Sequence, residues 1–146
     1  MFVADTNILV YAANLDSPFH SRCQGLLAAW REQSDAWFLS WGIVYEFVRV
    51  VTHPRVFQQP WGIADAWVFV EGLLASPGLM MLGETPRHVQ VARAVLDEFP
   101  DLAGNLVHDA HIAILMREHG VKRIYTRDTD FHRFRFLEVI DPLGPK

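Results

Sequence analysis

The chain has 146 residues, 51% of them hydrophobic, with 13 Lys+Arg against 17 Asp+Glu for a net charge of -4. That length predicts one domain over residues 1–146, with apolar content enough for a real core and against disorder. The acidic balance argues against a broad electrostatic footprint for nucleic acid, though a small basic rim fits it, and the lack of an apolar run of about 20 residues argues against a membrane span.

Met1 to Ala4 reads as a first strand ending at Asp5-Thr6-Asn7, rather than as a signal peptide, so a cytoplasmic location is expected. Ile8 to Ala13 begins a helix. Asp16-Ser17-Pro18 marks another helix start, with Pro18 near its first position and its end near Arg31. The single cysteine, Cys23, falls inside it as a small buried apolar residue; it excludes an intrachain disulfide and fits a reducing compartment. Ala36 to Leu39 is a second strand. Ser40 caps the helix that follows, which ends before His53-Pro54.

Trp61 to Ala75 reads as an amphipathic helix closed by Ser76-Pro77-Gly78, and Leu79 to Leu82 as a third strand. Thr85-Pro86 opens a helix to about Phe99. Asn105 to His119 is helical, with Gly120 as its left-handed terminator. Lys122 to Thr126 and Leu137 to Ile140 are a fourth and a fifth strand. Strands alternating with helices predict an α/β fold with a parallel sheet, whose sites form beyond the strands' carboxyl ends. Asp5 and Asp128 share that edge.

Four acids stand where stability alone would not put them. Asp5 ends the first strand. Glu46 shares a helix face with Ile43, Phe47 and Val50; a rotated helix would instead pair it with Arg49 at the solvent edge. Asp109 has Leu106, Ile112, Ala113 and Met116 as helical neighbours. Asp128 follows the fourth strand, and Asp130 is either a further ligand or the cap of the next turn. Thr6 and Asn7 can orient a carboxylate. Two carboxylates about 4 Å apart repel by roughly 4 kcal/mol at an effective dielectric of 20, so a converging set calls for a cation. Oxygen-only ligands favour Mg²⁺ or Mn²⁺, the ions of phosphodiester hydrolysis.

Arg127, His132, Arg133 and Arg135 surround the Asp128 loop, and Arg49, His53 and Arg55 follow Glu46; either group is an ordinary charged surface or a grip on an RNA backbone. His108 and His111 read as helix surface rather than a zinc pair. The middle of the chain is rich in aromatic residues, with Trp61 the one expected to be exposed, and either a partner's helix or a dimer face would use such a surface.

Val3-Ala4-Asp5-Thr6-Asn7, the helix-borne Glu46, Asn105-Leu106-Val107-His108-Asp109-Ala110-His111 and Thr126-Arg127-Asp128-Thr129-Asp130-Phe131 together resemble a PIN-domain ribonuclease, in the small VapC form of VapBC toxin–antitoxin modules. The resemblance covers essentially the whole chain. It implies a three-layer α/β/α fold and Mg²⁺- or Mn²⁺-dependent endonucleolytic cleavage of RNA, often tRNA or ribosomal RNA. It also implies a homodimer and a VapB-type antitoxin that blocks the site. Carried over by motif, Asp5, Glu46, Asp109 and Asp128 are the site acids, with Asp5, Asp109 and Asp128 on the metal. Asp130, Asn7 and Thr126 are accessory, and Arg49, Arg127 and Arg133 are candidates for RNA contact. Two other classes fit less well. A haloacid-dehalogenase-like phosphatase would need an acid where Asn7 stands. A non-catalytic RNA- or protein-binding module with a structural ion would not need the full acid set.

Overall fold

A computed structural model describes residues 1–144, so the last two residues of the expected 1–146 unit lie outside it. Strand β1 (Phe2–Ala4) is followed by α1 (Thr6–Ala13) and α2 (His20–Glu32). Strand β2 (Trp37–Ser40) leads to α3 (Trp41–Val51) and α4 (Ile63–Leu74), and β3 (Leu79–Leu82) to α5 (His88–Glu98) and α6 (Asn105–His119). Strand β4 (Arg123–Tyr125), a short 3-10 turn (Thr129–Arg133) and β5 (Glu138–Ile140) complete the order. No helix among the described residues is long and apolar enough to cross a membrane.

All strand pairings are parallel, in the order β3-β2-β1-β4-β5. The chain therefore moves outward from β1 through β2 to β3, then returns past β1 to lay down β4. Right-handed crossovers put α1–α4 on one face during the outward run and α5–α6 on the other during the return. Packing agrees, with α1 against α2 and α3, α3 against α4, and α5 against α6. The reversal of direction falls between β1 and β4. A parallel sheet opens a crevice at such a point, on the carboxyl side.

Strand β2 is buried along its whole length, as a strand covered on both faces must be. Its Ser40 side chain accepts the Ile43 amide at 3.2 Å and so starts α3, as its position predicts. Gly120 closes α6 at φ +70°, the left-handed conformation expected of it. Cys23 is fully buried within α2.

Two local expectations are corrected. Pro18 does not open α2: Ser17 Oγ accepts the Phe19 amide, the turn runs on, and the helix starts at His20. Trp61 is not the exposed aromatic. Its amide donates to the Val51 carbonyl at 2.8 Å, hooking the loop back so that the ring packs edge-on against Phe47 and Phe69. The aromatics left at the surface are Trp41 and Tyr45, which lean on Trp67 of α4.

Gly78 marks the tightest backbone approach. A Cβ there would lie 2.2 Å from the Asp35 carbonyl oxygen and 2.9 Å from that of Gln33. The adjoining Gly78 carbonyl accepts the Trp37 amide that starts β2. Gly78→Ala is expected to cost about 1–3 kcal/mol, because only backbone can yield there. A thermal midpoint equal to wild type would disprove the contact.

Candidate metal centre

The reversal point between β1 and β4 is where the acids gather. Asp5 leaves β1 and becomes the N-cap of α1, its Oδ1 accepting the Thr6 amide at 2.7 Å. Its amide donates to the Tyr125 carbonyl, which ties the ends of β1 and β4 together. Thr126, buried at the end of β4, donates its hydroxyl to Asp5 Oδ2 at 2.7 Å. The same hydroxyl accepts the Asn7 side-chain amide and the Asp128 backbone amide, each at 3.0 Å. Asn7 also donates to Asp5 Oδ2 at 3.2 Å and accepts the Arg127 amide through its Oδ1. Asn7 and Thr126 thus brace Asp5 and shape the loop that carries Asp128.

Asp128 caps the 3-10 turn by accepting the Asp130 amide at 2.9 Å. Asp130 therefore does not supply that cap. Helix α6 delivers Asp109 from the other face of the sheet. Among the described residues, carboxylate oxygens of Asp109, Asp128 and Asp130 lie within 4.8 Å of one another. Asp5 is outside that trio; its oxygens are committed to Thr6, Thr126 and Asn7 at the floor of the same cavity. The cavity, of about 350 Å³, is lined by Asp5, Asn7, Glu46, His108, Asp109 and Asp128.

The electrostatics follow from that crowding. Burial, then repulsion from Asp128, Asp5 and Asp130, pushes the Asp109 carboxyl up to about 7, with Arg133 opposing. Burial raises Asp5 as well, against the Thr126 hydrogen bond. Glu46 behaves differently. It lines the cavity but pairs with Arg49 at 2.6 and 3.0 Å, and that hydrogen bonding holds its carboxyl below the usual range. The rotated-helix arrangement and the site arrangement therefore coexist at Glu46, which stands at the rim. A trio of oxygen donors this close repels by up to about 3–4 kcal/mol per pair. Such a donor set fits a hard divalent cation and leaves room for water and phosphate oxygens.

The arginines are distributed unequally. Arg49 is engaged with Glu46. Arg127 lays its guanidinium over the Phe19 ring at 4.6 Å and lies 3.9 Å from Asp141, so it is spent on the protein itself. Arg133 reaches Asp101 at 3.4 Å.

Sequence reasoning did not assign His108 to the site: it is exposed, as expected of helix surface, yet it also lines the cavity one turn from Ile112, with its ring beside Gly42 of α3. The usable signal was that spacing on α6. His111 turns elsewhere, to Glu84 at 3.0 Å, which rules out the paired zinc arrangement.

The PIN domain family model matches residues 2–137. This chain belongs to the PIN-domain family. It is 33% identical to ribonuclease VapC48 of Mycobacterium tuberculosis over 140 residues, 96% of either chain. The PIN fold is seen again in the crystal structure of VapC20 from M. tuberculosis, described as a Sarcin-Ricin loop cleaving toxin. That structure matches with a TM-score of 0.67 at 19% identity, covering 95% of this chain and 98% of that one. The VapBC2 structure from Rickettsia felis, bound to a DNA fragment from its promoter, matches at 0.63 and 18% identity, covering 95% and 96%. With the family set, the α/β/α reading of the sheet stands, and the acid cluster occupies the carboxyl-edge crevice of a PIN domain.

Proposed function

We propose that residues 1–146 form a single-domain endoribonuclease toxin that hydrolyses RNA phosphodiester bonds with Mg²⁺, or Mn²⁺ in its place, in the cytoplasm. One observation carries the reading: three carboxylates converge within 4.8 Å above a hydrogen-bonded Asp5. Asp109, Asp128 and Asp130 would hold the ion, with Asp5 behind them. When bound, such an ion supplies positive charge against phosphate oxygens and acidifies a water.

The chain's own groups do the rest. Thr126 and Asn7 fix the Asp5 carboxylate so that it does not swing away from the site. Asp109, whose carboxyl is pushed up to about 7 in the metal-free protein, gives up its proton to take the ion. Glu46, oriented by Arg49, completes the wall opposite Asp109. Arg49 and Arg133 would reach phosphates at the rim by exchanging their contacts with Glu46 and Asp101, whereas Arg127, held by Phe19, positions the loop.

The relatives' names and the VapBC assembly support a VapB-type antitoxin as inhibitor and RNA as substrate. A homodimer is part of the reading, and Trp41, Tyr45 and Trp67 offer the apolar area that an antitoxin or a second copy needs. Sedimentation at micromolar concentration showing only a 16.7 kDa species would remove the dimer.

The phosphatase alternative loses ground, because Asn7 stands at its acid/base position and is spent on Asp5, Thr126 and Arg127. The binding-module alternative, with its structural ion, fits the carboxylates but not relatives named as ribonucleases. The deciding experiment incubates purified protein with total RNA in Mg²⁺, in Mn²⁺ and in EDTA. Discrete fragments are expected with either ion and none with EDTA. Fragments of equal yield in EDTA would end the metal-dependent mechanism.

A further inference from the structure

Beyond the acids, the 3-10 turn leads into a second pocket. Its open space, about 580 Å³, is lined by Arg117 of α6, His132, Arg133, Arg135, Phe99, Phe136 and one acid, Glu98, which pairs with Arg117 at 3.1 Å. A volume of this order takes a small-molecule-sized ligand. Three features make it more than a charged surface. Two aromatic rings, Phe99 and Phe136, stand among the cations, and the Arg117 guanidinium lies 4.6 Å over the Phe136 ring. Arg133 Nε is buried with no hydrogen-bond partner. Arg135 is exposed and makes no ion pair among the described residues.

The pocket is coupled to the acids by helical geometry. In a 3-10 turn, residues i and i+3 eclipse, about 6 Å apart along the axis. Asp130 and Arg133 are such a pair within Thr129–Arg133. One short turn thus presents a metal-site acid at one end and the wall of the cationic pocket at the other.

We propose that this Arg117–Arg133–Arg135 pocket is an RNA subsite that holds a nucleotide flanking the scissile bond, its phosphate on the arginines and its base on Phe99 or Phe136. The proposal rests on the ribonuclease reading. Guanidinium groups grip phosphate oxygens in two-point contacts, and a base stacks on an aromatic face whatever its identity. An unpaired arginine N–H lying in this wall is a donor without a task in the free protein. The subsite would fix strand position next to the acids, although the chain as a whole is acidic.

The test measures binding of a fluorescein-labelled, mixed-sequence single-stranded RNA decamer to the full chain in EDTA, across a salt series. The variants are Arg135→Ala, Arg117→Gln and, as a charge-matched control, Arg22→Ala on α2. Each pocket variant is expected to weaken binding roughly tenfold and to reduce the log–log salt slope by about 0.7, one phosphate contact each. Arg22→Ala should leave the slope unchanged. Arg135→Ala removes an exposed side chain, so it decides the matter even where Arg117→Gln unfolds. Pocket variants that bind like Arg22→Ala, while the wild type still cuts RNA in Mn²⁺, would overturn the subsite alone. Absence of both binding and cleavage would overturn it together with the ribonuclease reading.

Discussion

Asp109→Asn is expected to slow RNA cleavage on the order of a thousandfold, yet to melt at a higher temperature than wild type when metal is absent. The two effects share one cause. The Asp109 carboxyl, pushed up to about 7 by burial and by Asp128, Asp5 and Asp130, destabilises the fold when ionised. Among the described residues it makes no side-chain hydrogen bond that an amide would break. Removing its charge relieves repulsion and deletes a ligand at once. Asp5→Asn should also abolish cleavage, but with the opposite mechanical consequence. Asp5 accepts from Thr6 N–H on one oxygen and from the Thr126 hydroxyl and Asn7 amide on the other. Thr126 already accepts two N–H groups, so it cannot turn to accept a third. Whichever way an asparagine is turned, its NH₂ faces a donor, at a cost of about 1–3 kcal/mol. Asp5→Asn should therefore melt about 3–8 °C below Asp109→Asn. Differential scanning fluorimetry in EDTA reads the gap, and gel analysis of RNA reads the rate. An Asp109→Asn protein that is less stable than wild type would show that the carboxylates do not repel one another in the folded chain.

That contrast between two aspartates is also where sequence reading stopped. Elements governed by local chemistry were legible: Ser40 as a cap, Gly120 as a stop, and β1 and β4 as apolar runs ending in acids. So was the crevice, because alternation of strands and helices dictates parallel order. What no local rule supplies is how side chains from distant segments share space. Asp130 reads as either a ligand or a cap until α6 crosses the sheet and brings Asp109 near it. Arg127 reads as a rim cation until the Phe19 ring, 108 residues earlier, takes its guanidinium. His108 reads as surface and is exposed; that it also borders the acids shows only once α3 and α6 meet at Gly42. Trp61 misleads for the same reason, since only the folded loop turns its ring in against Phe47 and Phe69.

Metal-free protein is expected to lose stability as pH rises from about 5 to 8, and divalent metal to restore it. The sign follows from Asp109. Its folded value, about 7, lies above its ordinary value of 3.8, so between the two the folded state holds the extra proton. Stability from that proton is complete below about 4 and is lost as pH climbs through 7. Glu118 acts the other way at a lower pH. Its buried carboxylate is desolvated, but hydrogen bonds from His88 and Thr85 outweigh this and hold it below 4.5. Its contribution is present above 4.5 and fails only in stronger acid, below the range in which the Asp109 proton is lost. Metal at a hundred times its dissociation constant adds about 2.7 kcal/mol, or roughly 5–10 °C for a chain of this size. Because uptake at this site must displace the Asp109 proton, the Mn²⁺-induced rise should be larger at pH 8 than at pH 5.5. In Asp109→Asn both the downward slope and the pH dependence of the metal effect should disappear. A Mn²⁺ shift of the same size at both pH values in wild type would mean that the ion binds without displacing that proton, and so away from the trio.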